Sequence, residues 1–296
     1  MEKFLSKNAK ILVILATILG ALSGPLGRAI TAPSLAIGFW RQTLAIPFFA
    51  IPVLFNKEKR TQLLNLKGDS LKWTVVAGVF LFLHFTCWFN AVKMTNISSA
   101  AVMASLHPIA VIIISIAIYK RKIGIKPIIG IMVALVGAAI TAGFDYTQLT
   151  SGHFKGDILG LLTGIFMGIY YAIGDRVRDK VEGSVYVLVL FFVSWSCFLV
   201  SMIASGTSFF DYPASDWGML ILMTIACQIG CHALNNLCLG YTDSVYVSAW
   251  GTSEAVFSII FAYLILSQLP TKWGVMGCVI VIGGLLYYVF NSKDYK

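Results

Sequence analysis

A chain of 296 residues in which 58% of positions are hydrophobic and only 12% are charged exceeds the apolar share of a water-soluble domain, where charged residues alone approach about a quarter. The composition is that of a polytopic membrane protein. A net charge of +9 could suit a nucleic-acid binder, but the lysines and arginines sit in short clusters between apolar runs, with no basic groove interleaved with aromatics, so no nucleic-acid partner is expected.

Apolar windows measured against the thickness of a bilayer give about ten helices, over 11–30, 37–55, 73–92, 98–119, 125–143, 157–177, 184–205, 217–239, 244–266 and 272–290. The first run follows Lys3, Lys7 and Lys10 as a secretory leader would. The internal repeat needs it as a first helix, so it is read as part of the working chain. Polar and turn-forming residues punctuate the rest, as at Thr31-Ala32-Pro33-Ser34 and over 56–72, 120–122 and 205–215. Cys87, Cys197, Cys227, Cys231, Cys238 and Cys278 all fall inside apolar runs, which argues against a disulfide framework. Cys227 and Cys231 beside His232 read as small core residues rather than metal ligands. Neither a metal nor a cofactor is expected.

If ten helices alternate, Lys57, Lys59, Arg60, Lys67 and Lys72, then Lys120, Arg121, Lys122 and Lys126, then Arg176, Arg178 and Lys180, then Lys293 and Lys296, share one side with the N-terminal lysines. By the positive-inside rule that side is the cytoplasm, and both termini lie there. Asp145, Asp157, Asp211 and Asp216 fall on the other side.

The chain also repeats itself. At an offset of 146 positions Asn90 matches Asn236, Ser98 matches Ser244, Lys126 matches Lys272, Gly137 matches Gly283, and Pro108 falls opposite Glu254; Gly27 matches Gly174 at an offset one larger. Five helices per half is an odd number, so the halves must be inverted relative to each other. The expected fold is therefore all-α, two inverted five-helix repeats over 1–145 and 146–296, an arrangement that places a site at the repeat interface near the midplane. Small residues every four positions, Gly160, Gly164, Gly168 and Ala172 and again Gly130, Ala134, Ala138 and Ala142, mark faces for close helix packing.

Several stretches resemble the drug/metabolite transporter superfamily, specifically its ten-helix EamA-type members. They are Phe39-Trp40-Arg41-Gln42-Thr43-Leu44-Ala45, Asn90 to Thr95, Ser98-Ser99-Ala100, Ser105-Leu106-His107-Pro108, Asn236 to Tyr241 and Ser253-Glu254-Ala255-Val256. The resemblance covers nearly the whole chain. Where the family usually has Pro after the glutamate this chain has Ala255, and where it often has a Gly-Glu pair this chain has Lys120-Arg121 and Ser267-Gln268. The resemblance implies a secondary carrier in a bacterial cytoplasmic (inner) membrane, commonly an exporter of amino acids or other small metabolites. It also implies a cavity lined by the first, third, fourth, sixth, eighth and ninth helices.

Strong polar groups within the apolar runs are few: Arg41, His84, His107, Gln228, His232, Asn235, Asn236 and Glu254. A charge at membrane depth costs at least about 2.5 kcal/mol, so Glu254 must face protein or water. It is either a carboxyl hydrogen-bonded across helices or a contact for ligand or protons. On the eighth helix Thr224, Gln228, His232 and Asn235 form one stripe at i, i+4, i+8, i+11. Trp250, Gly251 and Ser258 share Glu254's face, and Trp88 lies one turn from His84. The imidazoles can equally bridge helices, and Arg41 can snorkel or pair with a carboxylate as readily as contact a solute. The expected solute-binding set is His84, Trp88, His107, Tyr171, Gln228, His232, Asn235, Trp250 and Glu254, with Glu254 the candidate proton carrier. Aromatic surface, amides and imidazoles suit a small organic solute such as an amino acid. An intramembrane enzyme using Glu254 with a histidine is the rival, but no phosphate loop, His-Glu-x-x-His or Gly-x-Ser-x-Gly motif supports it. A structural or receptor-like protein would leave the repeat unexplained.

Overall fold

The computed structural model describes residues 2–95, 97–141, 154–266 and 272–291. Ala142, Asp145, Ser267, Gln268, Lys293 and Lys296, which entered the sequence argument, lie outside the described residues. In a bilayer the backbone must satisfy its own hydrogen bonds, which selects helices for apolar runs of this length. Every regular element among the described residues is helical: α1 Glu2–Gly20, α2 Ser23–Ala29, α3 Ser34–Phe55, α4 Lys57–Leu64, α5 Gly68–Met94, α6 Ile97–Ala104, α7 His107–Ala117 and α8 Ile125–Thr141. The second half follows with α9 Phe154–Val177, α10 Gly183–Ser205, α11 Ala214–Met223, a π-helical segment Thr224–Ala233, α12 Leu234–Cys238, α13 Ser244–Gly251, α14 Glu254–Leu266 and α15 Lys272–Asn291.

Among the described residues, eight helical runs are long and apolar enough to cross a membrane, and Ile125–Ile140 is a shorter apolar helix. The run expected over 244–266 is divided into α13 and α14. The run expected over 98–119 is divided too, into α6 and α7, at the equivalent place of its repeat. Pro108 explains the first break, since it lacks an N–H and its ring crowds the carbonyl four residues back, that of Ala104, where α6 ends. Pro25 acts likewise on Ala21, where α1 gives way to α2. No proline follows Glu254, and the second break has another cause. The Thr252 and Ser253 hydroxyls donate to the carbonyls of Ala249 and Trp250, and the backbone there tightens to three-residue bonds from Thr252, Ser253 and Val256.

Helices pack across the halves in pairs that exchange under a two-fold operation. α5 lies along α9, and its counterpart, the run through the π segment and α12, lies along α1; α3 pairs with α10, and α8 with α15. α6 and α7 pack on α9 through the glycine stripe, where a methyl on Gly164 would meet the Ala104 carbonyl oxygen at 2.7 Å. The α8–α15 contact is equally close: a methyl on Gly137 would meet the Val281 nitrogen at 2.6 Å. Between lipid-solvated helices such backbone approach supplies the dispersion energy that the hydrophobic effect cannot. Phe55, Ile113, Val200, Ile203, Ile225 and Val279 point outward, as a lipid-facing surface requires.

Candidate functional site

The two broken helices face one cavity. α6 and α7 contribute Ala101, Ala104, Ser105 and His107; α13 and α14 contribute Gly251, Glu254 and Ser258. Its remaining wall comes from Gly20 and Ala21 at the end of α1, Ser23 and Gly24 of α2, His84 and Trp88 of α5, Thr163 and Met167 of α9, and His232 of the π segment. The helices involved are those that the sequence resemblance placed around a cavity. The cavity offers about 40 Å³ to water-sized molecules, room for about three waters at roughly 10–15 Å³ each.

The break before Pro108 sets up His107. With no N–H at Pro108, the Ala104 carbonyl is open, and His107 Nδ1 lies 3.0 Å from it. Since a carbonyl only accepts, Nδ1 carries the proton in the neutral ring and Nε2 is an acceptor. Nε2 sits over Gly251, where a Cβ would meet it at 2.6 Å, and the ring also lies near the Ser248 carbonyl. Gly251 thus makes room for the ring. His84 Nδ1 is 3.0 Å from the Thr163 carbonyl, which ties α5 to α9 and orients its ring the same way. His232 Nδ1 meets the Tyr170 hydroxyl at 2.9 Å, and the His84 and His232 rings lie 5.4 Å apart. Trp88 Nε1 donates to Ser23 Oγ at 3.0 Å. The Glu254 carboxylate lies against the end of α1, where a methyl on Gly20 would meet its Oε1 at 2.8 Å and Cys231 Sγ at 2.7 Å.

Of the expected binding set, His84, Trp88, His107, His232 and Glu254 are brought together on the cavity wall. Tyr171, Gln228, Asn235 and Trp250 are not. Asn235 Nδ2 donates to the Tyr171 hydroxyl at 3.1 Å, and Gln228 Nε2 to Gln42 Oε1 at 3.1 Å, so these three bridge helices behind the wall. Four-residue spacing places Trp250 beside Glu254 only along an unbroken helix; α13 ends at Gly251 and α14 starts at Glu254, and the Trp250 ring lies 6.4 Å from that of Tyr246, one turn back on α13. Thr163, Met167, Ser23 and Ser105 line the wall and were not among the expected residues. Thr163 and Met167 flank the glycine stripe of α9, a signal that could have pointed to them.

One further polar group lies near. Arg41 is completely buried, its three guanidinium nitrogens have no hydrogen-bond partner among the described residues, and it stacks over Phe85 at 4.6 Å and Phe89 at 5.3 Å.

Polar contacts close the bundle at both ends. At one end Arg121 Nη1 meets Asp175 Oδ2 at 2.5 Å, and the same oxygen accepts from Ser244 N at 3.1 Å and Ser244 Oγ at 2.9 Å. Beside it Asp243 Oδ1 caps α13 through Tyr246 N at 2.8 Å, and burial pushes that carboxyl above the usual range. Lys59 Nζ reaches Glu182 Oε1 at 3.0 Å nearby. At the opposite end Thr31 Oγ1 and Ala32 N donate to Asp216 Oδ2 at 2.8 and 2.9 Å, while Thr95 and Ser99 donate to Asp157 Oδ1 at 2.9 and 2.7 Å.

Two five-helix repeats, inverted and interleaved around a central cavity between broken helices, define the fold class of secondary membrane transporters. The model of the EamA-like transporter family matches this chain twice, over residues 7–143 and 154–290, and the chain belongs to that family. GDP-fucose transporter 1 of Mus musculus is 23% identical over 107 residues, which span 32% of this chain and 30% of that protein. A solved crystal structure superposes with a TM-score of 0.77 at 14% identity, covering 97% of this chain and 99% of that one; the likeness is one of fold alone.

Proposed function

We propose that this integral membrane protein carries small organic metabolites by alternating access, as an exporter of amino acids or similar zwitterions. In this reading the repeats over 1–145 and 146–296 are the units that move, the membrane is the bacterial cytoplasmic one, and both termini lie in the cytoplasm. The observation that supports it most is the cavity between two helices broken at equivalent places, walled by imidazoles, an indole, hydroxyls and one carboxylate. Such convergent polar groups in an otherwise apolar pocket suit an organic solute. A cavity of about 40 Å³ is far below the roughly 300 Å³ at which ligand pockets begin, so binding requires the helices around it to part.

His84, Trp88, His107, His232 and Glu254 are the wall groups assigned to solute contact. Gln228, Asn235 and Tyr171 hold the helices that carry them. Glu254 is assigned the coupling proton, because it is the carboxylate of the wall and stands in the first turn of α14.

Counterflow tests the reading. Purified protein in sealed liposomes preloaded with unlabelled amino acids should draw in the labelled form of at least one of them transiently above its outside concentration. A panel of amino acids and amines that produces no counterflow would refute the assignment.

A further inference from the structure

We propose that Arg41 is the anchor for the carboxylate of the carried solute, with Glu254 facing the solute's cationic end. The inference rests on the cavity being the solute's path, and it adds a residue outside the cavity wall together with the charge pattern that the solute must have.

The guanidinium carries five N–H donors. It is fully buried within a membrane-spanning run, with none of its three nitrogens partnered among the described residues. The rings of Phe85 and Phe89 give its faces a cation–π contact, but ring faces leave the in-plane donors unmet. The neighbouring polar residues are better served. Gln42, next along α3, donates to Ser194 Oγ at 3.2 Å and accepts from Gln228 at 3.1 Å. The ion pairs Lys59–Glu182 and Arg121–Asp175 lie at one end of the bundle and leave Arg41 aside. A buried cation kept without an anion is costly unless an anion meets it in some state of the working cycle.

The position fits a ligand rather than a fixed partner. Arg41 stacks on Phe85, whose ring lies 4.7 Å from the ring of His232 on the cavity wall. One layer of side chains therefore separates the guanidinium from the cavity. Glu254 stands on the wall beside Cys231. The guanidinium lies behind the wall and the Glu254 carboxyl on it, and neither forms an ion pair among the described residues.

That pattern matches a zwitterion. A single carboxylate fits the planar fork of the guanidinium bidentately, and an ammonium group can meet Glu254, so the filled pocket is neutral. A nucleoside diphosphate would bring several negative charges against the Glu254 carboxylate. To reach Arg41 the Phe85–His232 layer must part, which agrees with a cavity too small for any organic solute as it stands.

The test compares acids with their amides on purified protein in detergent. The twenty standard amino acids, each beside its carboxamide and its decarboxylated amine, are screened for the rise they cause in Tm, with a nucleoside diphosphate as a further probe. At least one amino acid should stabilise the unsubstituted protein while its amide and amine do not. Arg41→Gln should lose that preference, and Arg41→Lys, which keeps the charge but not the fork, should bind the acid about tenfold more weakly. If Arg41→Gln does not purify as a single species, the acid-to-amide ratio in Arg41→Lys decides. Amides as effective as acids, a preference unchanged in the Arg41 variants, stabilisation by the nucleotide alone, or none by any probe would each overturn the inference. Counterflow of the same panel separates it from the transport reading. Carriage without acid preference leaves transport standing and sinks the Arg41 anchor. Acid-specific, Arg41-dependent stabilisation without counterflow does the reverse.

Discussion

A missing N–H at Pro108 determines what His107 presents to the cavity. It opens the Ala104 carbonyl, His107 Nδ1 takes that carbonyl, and the ring is held with its Nε2 over Gly251. Glu254, across the same cavity, is the wall's carboxylate. A carboxyl there can take up a proton from one side and release it to the other as the cavity hydrates, which an amide of the same shape cannot do. The Glu254→Gln variant is therefore expected to fold and to retain counterflow within about twofold, while accumulation driven by a pH difference falls at least about tenfold; an abolished driving force of even one pH unit corresponds to a factor of ten. Accumulation that persists in Glu254→Gln would remove Glu254 as the proton carrier. His84, His107 and His232 would then be the groups to substitute next.

At the level of elements, the two interrupted helices wall the cavity, and they are only half legible in the sequence. The apolar windows and the 146-residue repeat specify the helical runs and the two-repeat organisation, because bilayer thickness acts on whole segments. Pro108 marks its break openly. The break before Glu254 has no proline, and it depends on the Thr252 and Ser253 hydroxyls choosing backbone carbonyls over solvent, a choice that residue types alone do not fix. Four-residue spacing across that break therefore does not bring Trp250 onto the cavity wall with Glu254. The π segment explains a second shortfall: the stripe of Thr224, Gln228, His232 and Asn235 does face protein, but only His232 reaches the cavity, since Gln228 turns to Gln42 on α3 and Asn235 to Tyr171 on α9. Side-chain partners in other helices decide such rotations. The proline break gives a prediction with opposite signs for stability and function. Pro108→Ala restores an N–H toward the Ala104 carbonyl and joins α6 to α7, so Tm should hold or rise, with up to about 3 kcal/mol recovered from the helix penalty of proline. The same change takes the carbonyl from His107 and should lower counterflow severalfold. Falls in both quantities together would show instead that the break is needed for packing.

On the scale of the whole molecule, the alternating access proposed above requires each end of the bundle to open by loosening the polar contacts that close it. Arg121, Asp175 and Ser244 join α7's end, α9 and α13 at one end, and Asp157 joins Thr95 and Ser99 at the other. Both sets are made in the same structure, with a cavity too small for solute between them. A transporter opening alternately must break one set at a time, and a charge-assisted hydrogen bond contributes about 1.5–3 kcal/mol, enough for its loss to change the balance between open ends about tenfold or more. Ser105 lines the cavity, so Ser105→Cys in a cysteine-free background reports access from each side. With Asp175→Asn added, a membrane-impermeant maleimide should label that cysteine faster from the Arg121 end, in inside-out vesicles if the basic loops are cytoplasmic. With Thr95→Val and Ser99→Ala added instead, labelling should quicken from the opposite face, in right-side-out vesicles. Faster labelling from the same face in both variants would mean that the two sets of contacts do not gate opposite ends, and the two-fold relation would then be a matter of architecture without a part in the transport cycle.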